Sequence, residues 1–454
     1  MNTREEIRQT LRLALPIAFA QVALMTMGLV DAALVGRVSE IDLAAVSLGN
    51  SLVFAVVCTG MGVTMAVEPL ASQAMGAGDP DRAWMSLRAG LVACTLLSIP
   101  TMIVGALSPL LLDLFGVDPT VIPAARAFVY ARLPGMPMWL FFMAAKAYLE
   151  ARGITRPLFV SGWATNVLNF VVVALLVFGD GALAYVGLPG LGLPALGSLG
   201  AGIGTTFSNA AIAGMALYAA YQARPEGATL FGGAREELAL QTRKLLRVGV
   251  PMGLQILTEA GVFSLVSLLA GRLGARIAGA HQIALGLASY TFMGVLGISS
   301  ATAVRVGRAI GAGDERGPRR AGLVGFGLVL VYMGACAAVF VIFARPLARI
   351  FTSDPGVQEV AVGLIRIAAA FQLADGLQGV AGGALRGAAD TRFASWANVA
   401  CHWGVGLPLA LIFGFTLAHG APGLWWGLSV GLFVVAAVLT ARFLRISAKR
   451  IEAV

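Results

Sequence analysis

Charge is what this sequence has least of. Asp, Glu, Lys and Arg make up 12% of 454 residues, about half the ~25% of a soluble domain. A water-soluble fold is therefore excluded. Histidine is nearly absent, with three residues, His281, His402 and His419. No HExxH run occurs, no His–Asp pair stands at metal-ligand spacing, and no Ser with a Lys or His partner stands out, so an embedded enzyme is not expected. The four cysteines, Cys58, Cys94, Cys336 and Cys401, are scattered through apolar stretches. Their spacing gives neither a disulfide framework nor a metal site, and they read as small core residues. The alternation of polar and apolar residues that marks a membrane β-barrel is missing too. The net charge of +9 lies in short segments between apolar runs, so it reads as membrane topology and not as nucleic-acid binding.

What remains is 58% hydrophobic and falls into runs long enough to cross a ~30 Å hydrocarbon core as helices. Twelve spans are expected, at 12–36, 43–75, 86–112, 121–148, 157–179, 195–221, 245–270, 277–304, 321–343, 358–385, 393–415 and 421–444. The longest polar interruption, Gln222–Arg247, separates two copies of one pattern. At one constant offset Pro16 pairs with Pro251, Gly36-Arg37 with Gly271-Arg272, Gly62 with Gly297, and Gly76-Ala77-Gly78-Asp79 with Gly311-Ala312-Gly313-Asp314. With slight drift, Asp118-Pro119 meets Asp354-Pro355 and Arg152-Gly153 meets Arg386-Gly387. The expected fold is an all-α polytopic membrane protein of two homologous six-helix bundles, related by a pseudo-twofold axis along the membrane normal. Its divisions are an N-lobe at 1–221, a linker at 222–244 and a C-lobe at 245–454.

About three quarters of the 32 Lys and Arg fall on the side that holds both termini and the linker, which makes that side cytoplasmic. The N-terminal stretch MNTREEIRQTLRLALP reads as an amphipathic lead-in to span 1, not a removable signal. The two GAGD runs suit a helix C-cap or tight turn. Without a strand before them they do not read as a phosphate cradle.

Acids inside spans are costly and mark function by default. Four stand out. Asp31 lies late in span 1 and Glu68, followed by Pro69, in span 2; Glu259 lies in span 7 and Asp375 in span 10. Their repeat counterparts at 266, 303 and 24 are Val266, Ala303 and Leu24, so the fold itself does not call for Asp31, Glu68 or Glu259. Glu68 suits either a substrate-facing role or a pairing with span 1. Lys146, Arg132 and Arg366 lie near span ends, where long stems snorkel. His402, between Cys401 and Trp403 in span 11, reads first as a hydrogen-bonded structural residue. Asn166 and Asn169 sit three apart on one face of span 5. Gln255, Phe263, Phe292, Met293 and Phe371 are candidate cavity-wall residues, with core packing the plainer reading for the aromatics.

These segments make the sequence similar to the multidrug and toxic compound extrusion (MATE) transporters, NorM-like branch, over nearly its whole length. The resemblance rests on LPIAFAQ, MGLVDAALVGR, QAMGAGD, LEARGITRP and NVLNF in the first half. In the second it rests on VPMGLQILTEAGVF, RVGRAIGAGD, FQLADGLQGVAGGALRGAADT and HWGVGLPLAL. It implies an antiporter that exports organic cations by alternating access, driven by Na+ or H+ and needing no other cofactor. Glu259 and Asp375 then match the family's second-lobe coupling pair, where a Na+ ion could be held. Asp31 matches the first-lobe acid and Asn169 its polar partner; Glu68 resembles a span-2 Glu of other branches. Val173 stands where some relatives carry an Asp, a departure from a two-Asp first-lobe proton site. The expected partners are small organic cations and membrane lipid, the expected state a monomer, and the expected location the prokaryotic cytoplasmic (inner) membrane. A lipid-linked oligosaccharide flippase of similar architecture is the alternative. It would want a basic cavity, which the intramembrane acids disfavour.

Overall fold

No strand occurs among the described residues; every regular element is helical. The computed structural model describes residues 3–453 apart from 115, 186, 231, 233 and 234, so part of the linker lies outside the description. Twelve membrane-length segments follow in order. Span 1 is Thr3–Val35, span 2 Glu40–Gly76, span 3 Pro80–Leu114, span 5 Arg156–Phe178, span 7 Arg235–Arg272 and span 8 Ala275–Gly311. Span 9 is Gly317–Ile342, span 10 Pro355–Gly387, span 11 Thr391–Thr416 and span 12 Gly420–Ile446. These ten are long and apolar enough to cross a membrane. Span 4 is two helices, Ile122–Arg132 and Gly135–Arg152, and span 6 is Gly197–Gln222. Span 7 begins within the polar stretch assigned to the linker, at Arg235. Ahead of it, the linker backbone is tied to the neighbouring bundle: Trp84 Nε1 donates to the Thr229 carbonyl at 3.1 Å and Arg88 Nε to that of Leu230 at 2.9 Å.

Local chemistry explains the boundaries. Asp354 opens span 10 as an N-cap, accepting from the backbone of Gly356 at 2.7 Å and Val357 at 3.3 Å, with Pro355 in the first turn; proline there loses only an N–H that has no helical partner. The GAGD runs close spans 2 and 8 in the same way. Gly78 and Gly313 take φ of +76° and +69°, and Asp79 N and Asp314 N reach back to the carbonyls of Ala74 and Ala309, both at 3.0 Å. That is a left-handed helix cap, and a Cβ would strain it. Pro69 cannot donate to the Met65 carbonyl, and the span-2 helix breaks nearby, at Ala66.

The chain packs into two compact units. The C-terminal unit holds Leu254–Val454 together with residues up to Phe19 and Glu68–Asp79; the N-terminal unit holds Ala20–Val67 and Pro80–Gly253. These units differ from a division at the linker, because the first parts of spans 1 and 7 each pack with the other half's helices. The changeovers, after Phe19 and after Gly253, fall at almost equivalent repeat positions. The repeated glycines show why those crossings are tight. In the N-terminal unit a Cβ on Gly62 would collide with the backbone of Gly253 in span 7. In the C-terminal unit a Cβ on its repeat partner Gly297 would lie 2.6 Å from the Ala14 carbonyl oxygen in span 1. Gly76 and Gly311 likewise leave room for the backbones of Arg308 and Gln73, so the two GAGD segments lie side by side in the C-terminal unit.

Span 10 is the centre of the C-terminal unit: 61% of its apolar stretch is buried, against 28% for spans 9 and 11. Its glycines let span 8 approach closely. A Cβ on Gly379 would lie 2.8 Å from Val295, one on Gly383 2.6 Å from the Ser299 carbonyl oxygen, and Gly387 faces Ala303. Both series step by four, one helical turn each. Of the glycines after Asp375, Gly382 has open space beside it.

Candidate functional site

The C-terminal unit brings Glu259 and Asp375 together. Glu259 is half-buried on span 7, and Asp375 is 7% exposed on span 10. Gln378, one turn beyond Asp375, ties them to span 11. Its Nε2 donates to Asn398 Oδ1 at 2.9 Å and reaches Glu259 Oε1 at 3.4 Å. Asn398 in turn donates to the Ala394 carbonyl at 2.9 Å, which fixes its orientation. His402 Nδ1 lies 3.0 Å from the Asn398 carbonyl. A carbonyl only accepts, so Nδ1 is the donor in this contact and Nε2 faces elsewhere. That Nε2, Gln378 Oε1 and both amide atoms of Gln372 are buried without a hydrogen-bond partner among the described residues. Span 11 widens at this point into π-helical turns at His402–Gly406 and Ile412–Thr416 around Pro408. Such turns cluster where a helix has been adapted to a site.

Aromatic rings close one side of the cluster. Phe263 meets Phe371 edge-on at 6.2 Å and lies 6.5 Å from His402. Phe371 is 2% exposed and packs on Trp425 at 5.4 Å, which makes it core, while Phe263 is partly exposed. Phe292 and Met293 are half-buried on span 8 and Gln255 on span 7; Phe292 abuts Gly379. His281 is structural. Trp425 Nε1 can only donate and does so to His281 Nδ1 at 3.1 Å, leaving Nε2–H for Ser267 Oγ at 2.9 Å.

Glu68 does not join this cluster. It is 2% exposed. Arg386 Nε donates to one carboxylate oxygen at 2.7 Å and Ser300 Oγ to the other. These two partners come from spans 8 and 10. Arg386 lies in the last turn of the span-10 helix, one residue beyond the expected end of that span.

The N-terminal unit holds the other acid. Asp31 is 2% exposed and accepts from Thr205 Oγ1 of span 6 at 2.7 Å, and its other oxygen has no partner among the described residues. Asn169 of span 5 has both side-chain amide atoms buried without a hydrogen-bond partner among the described residues. Arg132, in the last turn of the first span-4 helix, lies over the Phe128 ring at 5.8 Å. Asn166 Nδ2 donates to the Ala23 carbonyl of span 1 at 2.7 Å, and its Oδ1 is buried without a partner among the described residues.

A family model described as MatE matches this chain twice, over residues 16–175 and 251–412. The chain belongs to the MatE family. Both matches begin at prolines that the internal repeat pairs, Pro16 and Pro251. Among its relatives, a probable multidrug resistance protein NorM of Deinococcus radiodurans is 37% identical over 98% of this chain and 96% of its own. The multidrug resistance protein PmpM of Pseudomonas aeruginosa is 32% identical over 99% of this chain and 93% of its own. Among solved structures, the eukaryotic MATE transporter AtDTX14 superposes with a TM-score of 0.87 at 20% identity, covering 99% of this chain and 100% of that one. The Vibrio cholerae MATE transporter VcmN in its bent form gives 0.82 at 19%, covering 98% of each chain. This MatE chain is an integral membrane protein with the twelve-helix, two-bundle fold of those structures, and its family is one of transporters, not enzymes. Sequence reasoning missed Gln378, Gln372 and Asn398. The spacing held a signal for the first two, which stand three residues either side of Asp375 and so on its face of the helix.

Proposed function

We propose that this transporter exports organic cations in exchange for Na+ or H+, and that Glu259 and Asp375 are where the two cargoes exclude each other. The observation that carries the reading is the acid pair with buried, unpartnered polar atoms beside it. Among the described residues no group of three or more His, Cys, Asp or Glu could hold a metal ion. A sodium ion at Glu259 and Asp375 would therefore draw further oxygens from neutral amides such as Gln378 and Asn398. A proton needs only a carboxylate. Either one cancels the negative charge that would hold a cationic substrate against the Phe263 face, which couples binding of one to release of the other. The relatives' names, multidrug resistance proteins, fit this reading. The charge asymmetry supports both termini lying on the cytoplasmic side of a prokaryotic inner membrane, and the working unit in this reading is a monomer.

The test is ethidium efflux from proteoliposomes under a Na+ gradient alone and then under a pH gradient alone. Efflux under one of them identifies the coupling ion. No efflux under either, with intact protein, contradicts coupled export.

A further inference from the structure

Away from the acid pair, the C-terminal unit has a cavity of about 910 Å³ at the end of its helices that holds both termini of the chain. Its rim is strongly basic. Arg316, Arg319 and Arg320 come from the start of span 9, and Lys449 and Arg450 follow span 12; Glu315 is the one acid in the lining. Arg320 is engaged, 3.8 Å from Glu6 and 3.3 Å from Asp314. The other four cations are exposed and make no ion pair among the described residues.

The floor differs from the rim. It runs along span 9 through Leu323, Gly327 and Val331. Leu323 is 49% and Val331 75% exposed, and a Cβ on Gly327 would meet nothing within 4 Å. From Leu323 to Val331 the groove is about 12 Å long at 1.5 Å per residue. That is most of one leaflet, half of a ~30 Å hydrocarbon core. A free anion would use the rim and leave the apolar floor bare; an acyl chain alone would leave four cations without counter-charge. A ligand with a phosphate at one end and a hydrocarbon tail at the other satisfies both.

We propose that this cavity binds one anionic phospholipid from the leaflet on the side of the termini. Its phosphate is held by Arg316, Arg319, Lys449 and Arg450, and an acyl chain lies along span 9 over Gly327. Basic pockets beside transmembrane helices recognise anionic headgroups by this combination of charge and depth. The site is independent of the transport reading, since none of its residues belongs to the acid cluster.

The experiment is native mass spectrometry of the full-length protein in detergent, titrated with phosphatidylglycerol or with phosphatidylcholine of the same acyl chains. Three variants accompany the wild type. Arg316→Ser/Arg319→Ser/Lys449→Ser strips the rim, Gly327→Phe fills the groove with the rim intact, and Arg345→Ser/Arg349→Ser removes exposed charge elsewhere. Wild type is expected to retain one phosphatidylglycerol in preference to phosphatidylcholine. The rim variant should lose at least about tenfold in retention, given the favourable contribution of each basic residue near an anionic surface. Gly327→Phe should lose retention too, and Arg345→Ser/Arg349→Ser should match wild type. The rim side chains are exposed, so their removal leaves the packing intact, and a thermal unfolding midpoint for each variant checks this. Equal losses in the rim and control variants would overturn the proposal, as would undiminished retention by Gly327→Phe. Displacement of the lipid by excess inorganic phosphate would also overturn it, showing a site for free anions instead.

Discussion

Glu68 and Arg386 offer a measurable test of how the C-terminal unit holds span 2. Their side chains are 3% and 14% exposed and meet at 2.7 Å, and Ser300 donates to the second carboxylate oxygen. Removing one partner of such a pair strands the other charge in a poorly hydrated place, at a cost of roughly 3–5 kcal/mol. Replacing both removes the stranded charge and is far milder. Glu68→Gln and Arg386→Gln should each lose about 3 kcal/mol or more. At roughly 2–4 °C per kcal/mol for a unit of this size, each midpoint should fall by on the order of 10 °C. The double variant should lose less than the worse single, a coupling of about 3 kcal/mol or more. The assay is thermal unfolding in detergent followed by fluorescence-detected size exclusion, with efflux measured alongside. If the double variant loses the sum of the two singles, the pair is not an interacting unit and Glu68 returns to the candidates for substrate contact.

Three further outcomes follow from the same geometry. Thr205→Val removes a hydrogen bond to a buried carboxylate and should cost about 1.5–3 kcal/mol, whereas Thr206→Val removes a neutral bond to the Ala131 carbonyl and should cost about 1 kcal/mol. Equal midpoint shifts would mean that Asp31 draws little from Thr205. Gly297→Val should abolish stable insertion, because its Cβ would lie 2.6 Å from the Ala14 carbonyl oxygen, while Gly327→Ala should be tolerated; expression and monodispersity in detergent report on both. Asp180, outside the membrane-spanning segments, is held below the usual carboxylate range by the backbone N–H groups of Leu191, Leu193 and Gly192. A depressed folded-state value means that the loop gains stability above the unfolded value near pH 4 and loses it as pH falls through the folded one. Hydrogen exchange over residues 188–193 should therefore be steady from pH 7 to 5 and quicken, after correction for intrinsic rate, only below about pH 4, and Asp180→Asn should remove that pH dependence.

Much of this architecture was legible in the sequence because it depends on local rules. Apolar run length gave the spans, and the GAGD runs gave helix caps whose glycines do take left-handed backbone angles. The repeat was visible because Gly62 and Gly297 both serve close crossings, a demand that no other residue meets. What could not be read was partnership over distance. Arg386 lies 318 residues from Glu68, a separation that no local rule spans. The amides around Glu259 and Asp375 were overlooked because Gln and Asn carry no charge to mark them. The packing of the first parts of spans 1 and 7 with the opposite half's helices has no signature in composition, since each stretch is as apolar as its neighbours.

The central claim is that the Glu259–Asp375 cluster couples the two cargoes, and one measurement tests it most directly. Glu259→Gln protein, reconstituted in parallel with wild type, is assayed for ethidium efflux under whichever gradient drives the wild type. The amide keeps the shape of the side chain and can still meet Gln378, but it cannot be neutralised by a cation. The account predicts no gradient-driven efflux from protein whose unfolding midpoint is unchanged. Efflux at the wild-type rate would place coupling outside this cluster.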